Sequence, residues 1–410
     1  MNSEYQTPDF SETEKSAQKI IRGISENYQK RIYTATKQGN PSICHIMKTC
    51  YDKRTVVQAA FLTKGCQMKK GGSCWNCNYG ALESCNIPPE QYIDEFKKAL
   101  VHISGNVLVL EGLGSITDPN EFDQDVFKEI LKLAIEKGKF RTITIETHVT
   151  HISEELLQYI NSISNGNKSI EFEIGVEDMD PEARKLINKL GVHNNKIKEV
   201  YEVLQKYGIG LDINLIYGFP FMIESERIDS VIESIKQIHN NLPDAEVTLF
   251  LMSIKENTIL EYMHRMGAYK LPNPWGFIEL TKRILEDNEL KTMPPPTYSW
   301  FGEKEIESIS EEQCYTCQNC RNNIIKALIK INGTFDNEER ERILTHLIEE
   351  NEDGCYQRFL ESLESEKDGK TPTERYREFL QDLVNKTNKT RTSVSGETTP
   401  SHQPNKFMEL

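Results

Sequence analysis

Six short apolar runs alternate with amphipathic segments between residues 55 and 251 of this chain. The runs lie at 55–63, 106–111, 142–146, 170–176, 210–216 and 246–251, and the helical spacings at 89–102, 121–137, 153–164, 181–190, 195–207 and 224–240. Strands joined by helical crossovers pair in parallel. The alternation therefore predicts an α/β fold, either an open doubly wound sheet or a partial barrel, and in both the chemistry gathers at the carboxyl ends of the strands.

A glycine-rich loop with three cysteines directly follows the first predicted strand. Cys66, Cys74 and Cys77 stand in the spacing Cys-x7-Cys-x2-Cys. Three thiolates on one loop can bind three irons of a cubane cluster and leave the fourth iron open to a ligand that is not protein. Glycines supply the positive φ angles and exposed amides that let a backbone curl around such a group. The loop therefore predicts an iron–sulfur cluster.

Cys85 opens a second interpretation, in which four cysteines hold a structural zinc ion and the chain is a non-enzymatic structural or adaptor protein. The long strand and helix series behind the loop favours the cluster. We expect a reducing, cytoplasmic environment, because the sequence shows no signal peptide and no membrane-crossing run and contains several Cys-x2-Cys pairs. The formal net charge of -14 argues against a dedicated nucleic-acid binder.

Four regions are expected along the chain. Residues 1–54 form an N-terminal helical segment with an amphipathic helix at 12–34, and residues 55–295 form the strand and helix domain. Prolines near residue 295 break the pattern. Residues 296–386 form a cysteine-containing helical extension, and residues 387–410, poor in apolar side chains, form a disordered tail.

The extension carries a second group of cysteines. Cys314, Cys317 and Cys320 form two successive Cys-x2-Cys spacings, and Cys355 is the only cysteine further along. This density is suited to metal binding, and either zinc or an auxiliary iron–sulfur cluster fits the ligand type. We expect the remaining cysteines, Cys44 and Cys50 among them, to be ordinary buried side chains.

The cysteine loop and its setting resemble the radical S-adenosylmethionine enzymes, and most closely the tRNA-modifying branch that includes the radical subunit of archaeosine synthase and, more distantly, the elongator-type enzymes. The first cysteine gap is seven residues, where three is commonest in the superfamily. The likeness rests on Thr63-Lys64-Gly65-Cys66, Gly71-Gly72-Ser73-Cys74-Trp75-Asn76-Cys77, Gly175-Val176-Glu177, and Tyr217-Gly218-Phe219-Pro220-Phe221 with Glu224.

The resemblance implies a six-stranded partial barrel of the TIM type, a 4Fe-4S cluster on Cys66, Cys74 and Cys77, and S-adenosylmethionine on its open iron. An electron from a reductant such as flavodoxin or ferredoxin would break a carbon–sulfur bond and produce a carbon radical. Gly112, Gly114 and Ser115 match a motif that meets the methionine amine. Glu146, Glu177 and Asn214 lie near strand ends, where they would bind cofactor or substrate.

Several reactions are compatible with the sequence. We expect a small-molecule or peptide substrate in a biosynthetic pathway, because the acidic composition fits RNA less well. The resemblance to tRNA-modifying members keeps a nucleoside in tRNA as an alternative. Transfer of a 3-amino-3-carboxypropyl group from S-adenosylmethionine is a further alternative, because the sequence does not determine which carbon–sulfur bond breaks.

Overall fold

The computed structural model of this protein describes residues 12–39, 43–51, 54–79, 87–164, 166, 168–299 and 316–394. Eight strands form one sheet in their order along the chain: β1 (Cys44–Tyr51), β2 (Arg54–Phe61), β3 (Val107–Gly112), β4 (Thr142–Thr147), β5 (Ser169–Glu177), β6 (Gly210–Tyr217), β7 (Glu246–Leu251) and β8 (Thr297–Ser299). Strand β1 is antiparallel to β2, and every later pairing is parallel.

The strand order decides between the two predicted architectures. A doubly wound sheet reverses direction at a switch point, whereas here each strand pairs with its sequence neighbour throughout. The chain therefore forms a partial barrel with flanking helices, as the family resemblance implies. All six predicted strands are present as β2 to β7.

Helices surround the sheet and extend it at both ends. They are α1 (Glu12–Gly39), α2 (Gln67–Lys70), α3 (Pro89–His102), α4 (Gln124–Lys137), α5 (Glu154–Ile163), α6 (Pro181–Lys185), α7 (Asn194–Tyr207), α8 (Glu224–Asn241), α9 (Ile259–Arg265), α10 (Pro274–Glu286), α11 (Gln318–Asn332), α12 (Asn337–Glu349), α13 (Cys355–Ser365) and α14 (Pro372–Val394). None of the helices in the described part of the chain has the length and apolar character needed to cross a bilayer.

Three expectations need correction. The predicted N-terminal helical segment also contains strand β1, and the sheet continues beyond residue 295 into β8. Cys50 on β1 is exposed rather than buried, because β1 is an edge strand of the described sheet and pairs only with β2. Helix α14 runs to Val394, so the first residues of the predicted disordered tail are helical. Residues 395–410 lie outside the described residues.

The two faces of the barrel strands differ in chemistry. On β5, Ile170, Phe172 and Ile174 are buried beneath the helices, while Glu171 and Glu173 alternate with them and remain partly accessible. Successive side chains of a strand point to opposite faces, so these glutamates face the barrel interior. The fold thus places its apolar core between sheet and helices and a polar surface inside the barrel.

The two ends of the chain pack together beside the cysteine loop. Helix α1 contacts α14, and both belong to a second apolar cluster that also contains the fully buried Trp75. The Trp75 ring lies 6.0 Å from that of Tyr376 on α14. Arg375 donates to the carbonyl oxygen of Phe221 at 2.8 Å and pairs with Glu226 at 2.8 Å. Both terminal helices therefore support the loop that carries the cysteines.

A buried ion pair anchors the segment after β6. Arg227 Nη1 lies 2.6 Å from Glu224 Oε1, and both side chains are almost fully enclosed. Glu224 also bonds the Tyr217 hydroxyl and accepts from the backbone N–H of Asn273 at 3.1 Å. The Tyr-Gly-Phe-Pro-Phe motif and Glu224 thus hold β6, α8 and α10 together.

We predict that Glu224→Gln lowers the free energy of unfolding by about 3 kcal/mol, because Arg227 would keep a buried charge without its counter-ion. Urea unfolding measures the loss, with Glu233→Gln on the exposed side of the same helix as control. A loss below about 1 kcal/mol, the range of a surface pair, would contradict this anchoring role.

Candidate functional site

The cysteine loop closes over the carboxyl end of β2. Cys66 precedes the short helix α2, and the Cys77 N–H donates to the Cys74 carbonyl at 3.1 Å. The buried Lys69 side chain lies among the three cysteines and donates to the Cys74 carbonyl at 3.0 Å. The loop therefore wraps the cysteines around a lysine, which supplies positive charge where thiolates would form.

Burial makes the thiols of Cys66 and Cys74 weaker acids than an exposed cysteine. Burial, with Glu121 adding to it, raises the pKa of Cys66 to about 12, and burial raises the pKa of Cys74 to about 11. Burial likewise lowers the pKa of Lys69, although the cysteines oppose this. A bound metal cation offsets the cost of ionising a buried thiol, because the thiolate is the form that binds metal. The donor set, three thiols beside lysine, fits an iron–sulfur cluster.

The sulfur positions favour a cluster over a single ion. Zinc bound tetrahedrally, with Zn–S near 2.3 Å, separates its sulfurs by about 3.8 Å. Among the described residues, Cys66, Cys74 and Cys77 do not form a group whose ligand atoms all lie within 4.8 Å. In a cubane each sulfur binds a different iron, so wider spacing is required. Cys85, the fourth ligand of the zinc interpretation, lies outside the described residues.

Left-handed backbone marks where the loop meets the barrel. Cys74 and Asn188 both have φ of 55°, and Glu177 has φ of 70°. The Cys74 N–H donates to the Asn188 carbonyl at 3.3 Å, and the Asn188 amide donates to the Gly72 carbonyl at 2.9 Å. Such residues cost about 1 kcal/mol or more each and persist only where their surroundings fix them. They concentrate here, as at many functional sites.

Glu121 joins the cysteine loop to the glycine motif after β3. Its Oε1 accepts from the N–H of Gln67 at 2.6 Å, and its Oε2 accepts from the N–H of Ser115 at 2.5 Å. Its own carbonyl accepts from the N–H of Lys64 at 2.9 Å. Glu121 was not predicted from the sequence, because the contact joins positions 54 residues apart and loops have no periodic pattern.

Gly112, Gly114 and Ser115 lie beside the cysteine loop, as expected for this motif. A Cβ on Gly114 would come within 2.1 Å of Glu121 Oε2 and 3.0 Å of the Cys66 Cα, and one on Gly112 within 2.7 Å of Thr63. The glycines therefore allow close packing of this turn against the loop. The Ser115 hydroxyl accepts from the His148 N–H at 3.1 Å, so it also joins β3 to β4. Binding of the methionine amine here remains a prediction.

Glu177 ends β5 and pairs with the buried Lys189. Burial opposes the charge on Lys189, but Glu177 and Cys74 hold its pKa above the usual value. Lys189 is thus a second positive charge at the cysteine loop. A role of Glu177 in cofactor binding stays a prediction, and in this structure its carboxylate forms an ion pair with Lys189.

Carboxyl groups line the barrel interior below the loop. Glu146 on β4 is in register with Glu173 on β5, and Glu146 is hydrogen-bonded to Glu111 on β3. Asn214 on β6 donates through Nδ2 to Glu173 Oε1 at 2.7 Å. Burial, followed by neighbouring carboxylates, raises the pKa of Glu173 to about 7 and that of Glu146 well above its usual range. Glu146 and Asn214 were predicted; Glu111 and Glu173 were not.

The second group of cysteines assembles around the first turns of two helices. Cys317 caps α11, Cys320 lies in its first turn, and Cys355 begins α13. Their three sulfurs all lie within 4.8 Å of one another. Helix N-termini stabilise negative charge, so both helices favour thiolates at this point. Cys314 lies outside the described residues.

Polar groups surround these sulfurs. The Cys317 thiol donates to Asp353 Oδ2 at 3.3 Å, and the amide of Asn351 donates to the Cys320 sulfur at 2.9 Å. Arg358 donates to the Cys355 sulfur at 3.0 Å. Burial acts to raise the pKa of Cys355, but hydrogen bonds led by the Cys317 backbone lower it overall. The structure therefore brings together three of the four predicted ligands and adds Asp353.

Comparison with known proteins gives one informative relative. The chain is 26% identical over 244 residues to archaeosine synthase subunit beta of Methanosarcina acetivorans. The aligned region covers 58% of this chain and 69% of that protein. No protein-family model matches the chain.

Two solved structures share parts of the fold. Coproporphyrinogen III oxidase (HemN) from Escherichia coli is 19% identical, covers 52% of this chain and 49% of its own, and has a TM-score of 0.37. A truncated Elp3 of Methanocaldococcus infernus is 18% identical, covers 57% and 60%, and also has a TM-score of 0.37. The chain thus spans about half of the first structure. Likenesses this distant carry no argument about activity.

The partial barrel with a three-cysteine loop at the carboxyl ends of its strands is the arrangement that the sequence resemblance implies. Together with the sequence relative, it makes the chain similar to the radical S-adenosylmethionine superfamily, near the archaeosine synthase and elongator-type branch.

We predict that Glu173→Gln makes the chain more stable above pH 7 by about 2 kcal/mol, because a carboxyl whose pKa is raised by folding binds its proton more tightly when folded. The free energy of unfolding of the native chain should fall as pH rises from about 4.5 to about 7. The variant should show a smaller fall, because the contribution of Glu173 is absent. Urea unfolding at pH 4.5 and 8 measures this, with exposed Glu202→Gln as control. Equal pH profiles would contradict it.

Proposed function

We propose that this chain binds a 4Fe-4S cluster and S-adenosylmethionine, cleaves S-adenosylmethionine reductively, and directs the resulting carbon radical to a substrate in the barrel. The observation that carries the proposal is the arrangement of Cys66, Cys74 and Cys77, which surround Lys69 at the barrel mouth without converging on a single-ion site.

Each part of the site has a defined task in this proposal. The three cysteines hold three irons, and Lys69 and Lys189 balance the negative charge of the thiolates. When bound, the cluster supplies the electron that breaks a carbon–sulfur bond of S-adenosylmethionine. Glu121 fixes the cysteine loop against the glycine turn, which keeps the mouth of the barrel in one shape. The barrel walls separate the reacting groups from bulk water.

We propose a small molecule or peptide as substrate, flavodoxin or ferredoxin as reductant, and the cytoplasm as location. The net charge of -14 and the carboxyl-lined interior support this substrate class, because phosphate-rich ligands would be repelled. Transfer of a 3-amino-3-carboxypropyl group is an alternative outcome that the nucleoside product distinguishes.

A nucleoside in tRNA is the second candidate substrate, and the relative favours it. That relative is a subunit of archaeosine synthase and matches this chain over most of its length. A subunit can leave RNA binding to its partner, which would reconcile the role with an acidic chain. Filter binding of tRNA at 50 and 200 mM salt tests the candidate, because phosphate contacts make affinity fall steeply with salt. No binding by the chain and its partner together would exclude it.

We predict that the anaerobically reconstituted protein contains about four irons on the cysteine loop. With dithionite, it should convert S-adenosylmethionine to 5′-deoxyadenosine. Cys74→Ala should abolish product formation and lower the iron content, because one iron loses its ligand. Cys44→Ala on β1 is the matched control and should change neither.

Two other results would redirect the assignment. Methylthioadenosine in place of 5′-deoxyadenosine would establish aminocarboxypropyl chemistry. A colourless zinc protein that leaves S-adenosylmethionine intact would contradict the proposal and favour the structural or adaptor interpretation.

For the second group of cysteines we propose one tetrahedral zinc ion rather than an auxiliary cluster. Three sulfurs within 4.8 Å fit ligands of one ion, which zinc places about 3.8 Å apart. Asp353 is one candidate for the fourth ligand, because its Oδ2 lies 3.3 Å from the Cys317 sulfur and 3.7 Å from the Cys320 sulfur, although it lies outside the group of three whose atoms are all within 4.8 Å. Cys314 is the other candidate for the fourth ligand.

We predict about one zinc ion per chain, lost in Cys320→Ser while the iron content stays unchanged. Elemental analysis of both metals measures this. Asp353→Asn and Cys314→Ser separate the two candidates for the fourth ligand, because only the true ligand should weaken zinc retention against a chelator. About eight irons per chain and no zinc would contradict the proposal and establish an auxiliary cluster.

A further inference from the structure

We propose that the barrel interior at Glu173 and Asn214 binds a primary ammonium group of the substrate. This inference rests on the proposed function, because it names the chemistry of the group that the barrel presents to the radical.

An unused acceptor points to a missing donor. Asn214 is 6% exposed, its Nδ2 donates to Glu173, and its Oδ1 has no hydrogen-bond partner. Buried polar atoms are rarely left unsatisfied, and each exception calls for an explanation. Glu173, the partner of the Asn214 amide, is also an acceptor when ionised, so this side of the interior lacks a donor rather than an acceptor.

The available lysine serves a different part of this surface. Lys255 influences Glu111 and Glu146 and lies 4.4 Å from the centre of the Tyr79 ring. The groups that act on Glu173 are Glu146, Asn214 and Glu171, and none of these is a cation. Arg54 acts on Glu171 of β5 and on Asp212 of β6, at the deeper end of the interior. Among the described residues, positive charge is therefore missing at Glu173 itself.

The spacing of the acids does not match the compact ligand set of a single metal ion. Within the described residues, the only group of three or more ligating side chains with atoms inside 4.8 Å is Cys317, Cys320 and Cys355. The barrel acids thus do not converge on a point, as a divalent cation requires. They instead offer acceptors from three adjacent strands: Glu146 on β4, Glu173 on β5 and Asn214 on β6. An ammonium has three N–H donors and matches this set.

The interior is also reachable. Glu146 and Glu173 are partly accessible although they lie below the cysteine loop. On this face of β5, Glu171 and Glu173 are followed by Gly175, which has no side chain to obstruct the way toward Glu177 at the loop. A ligand with an ammonium at Glu173 would therefore extend toward the cysteines through the same face.

The test compares pentylammonium with its neutral counterpart 1-pentanol. Both are titrated by calorimetry into the reconstituted chain with S-adenosylmethionine but without reductant, so that no turnover occurs. We expect pentylammonium to bind at least about tenfold more tightly, and Glu173→Gln to lower its affinity about tenfold, because a charge-assisted hydrogen bond is lost. Asn214→Leu should act in the same direction. Pentanol affinity should not change.

Glu171→Gln is the matched control, since it removes a glutamate from the same face of the same strand two residues deeper. The pentylammonium affinity of this variant should stay within about twofold of that of the unsubstituted chain, because Glu171 makes no direct contact with the ammonium. Equal affinity for the ammonium and the alcohol would overturn the inference, as would equal losses in Glu171→Gln and Glu173→Gln. Weaker S-adenosylmethionine binding with unchanged pentylammonium binding in both Glu173→Gln and Asn214→Leu would assign the pair to the cofactor and also overturn it.

The outcomes separate this inference from the proposed function. Ammonium selectivity in a chain that forms no 5′-deoxyadenosine would leave the inference standing and overturn the proposed radical chemistry. Product formation without ammonium selectivity would do the reverse.

Discussion

The position of the cysteine loop depends on the carboxylate of Glu121. One oxygen binds the backbone beside Cys66 and the other binds the backbone of Ser115, so a single side chain sets the separation of two loops. Burial raises the pKa of Glu121, and the two amide donors oppose that effect. Gly114 must be a glycine because a side chain there would displace the carboxylate. A single carboxylate therefore holds the cysteine loop against the glycine turn after β3.

The carboxyl groups in the barrel interior destabilise the fold, and the apolar core between the sheet and the helices offsets that loss of stability. Glu146, Glu171, Glu173 and Asp212 are carboxyl groups whose pKa values burial raises, so each destabilises the folded chain at neutral pH. The opposite faces of the same strands pack against the helices in one continuous apolar core. Functional polarity thus lies on one face of each strand and stability on the other, which is how a parallel barrel can hold a strained site.

Sequence reasoning succeeded where a local pattern encodes the structure. Strands β2 to β7 are buried on the helix side and read as apolar runs, so their existence and order were predictable. Strand β1 mixes exposed and half-buried residues, and β8 has only three residues, so neither produced a signal. For the acidic interior the sequence did contain a signal, namely the alternation Ile170-Glu171-Phe172-Glu173-Ile174. Glu121 had none, because its role depends on tertiary proximity.

The C-terminal extension completes the sheet rather than forming an independent unit. Strands β1 and β8 are the two edges of the described sheet, and helix α11 contacts both of them. Asn332 at the end of α11 exchanges two hydrogen bonds with the backbone of Tyr298 on β8, at 2.8 and 2.6 Å. Unpaired strand edges invite association with other chains, so a covering helix protects them. The cysteines at the start of α11 fix its other end, and a metal there would stabilise the closure of the barrel.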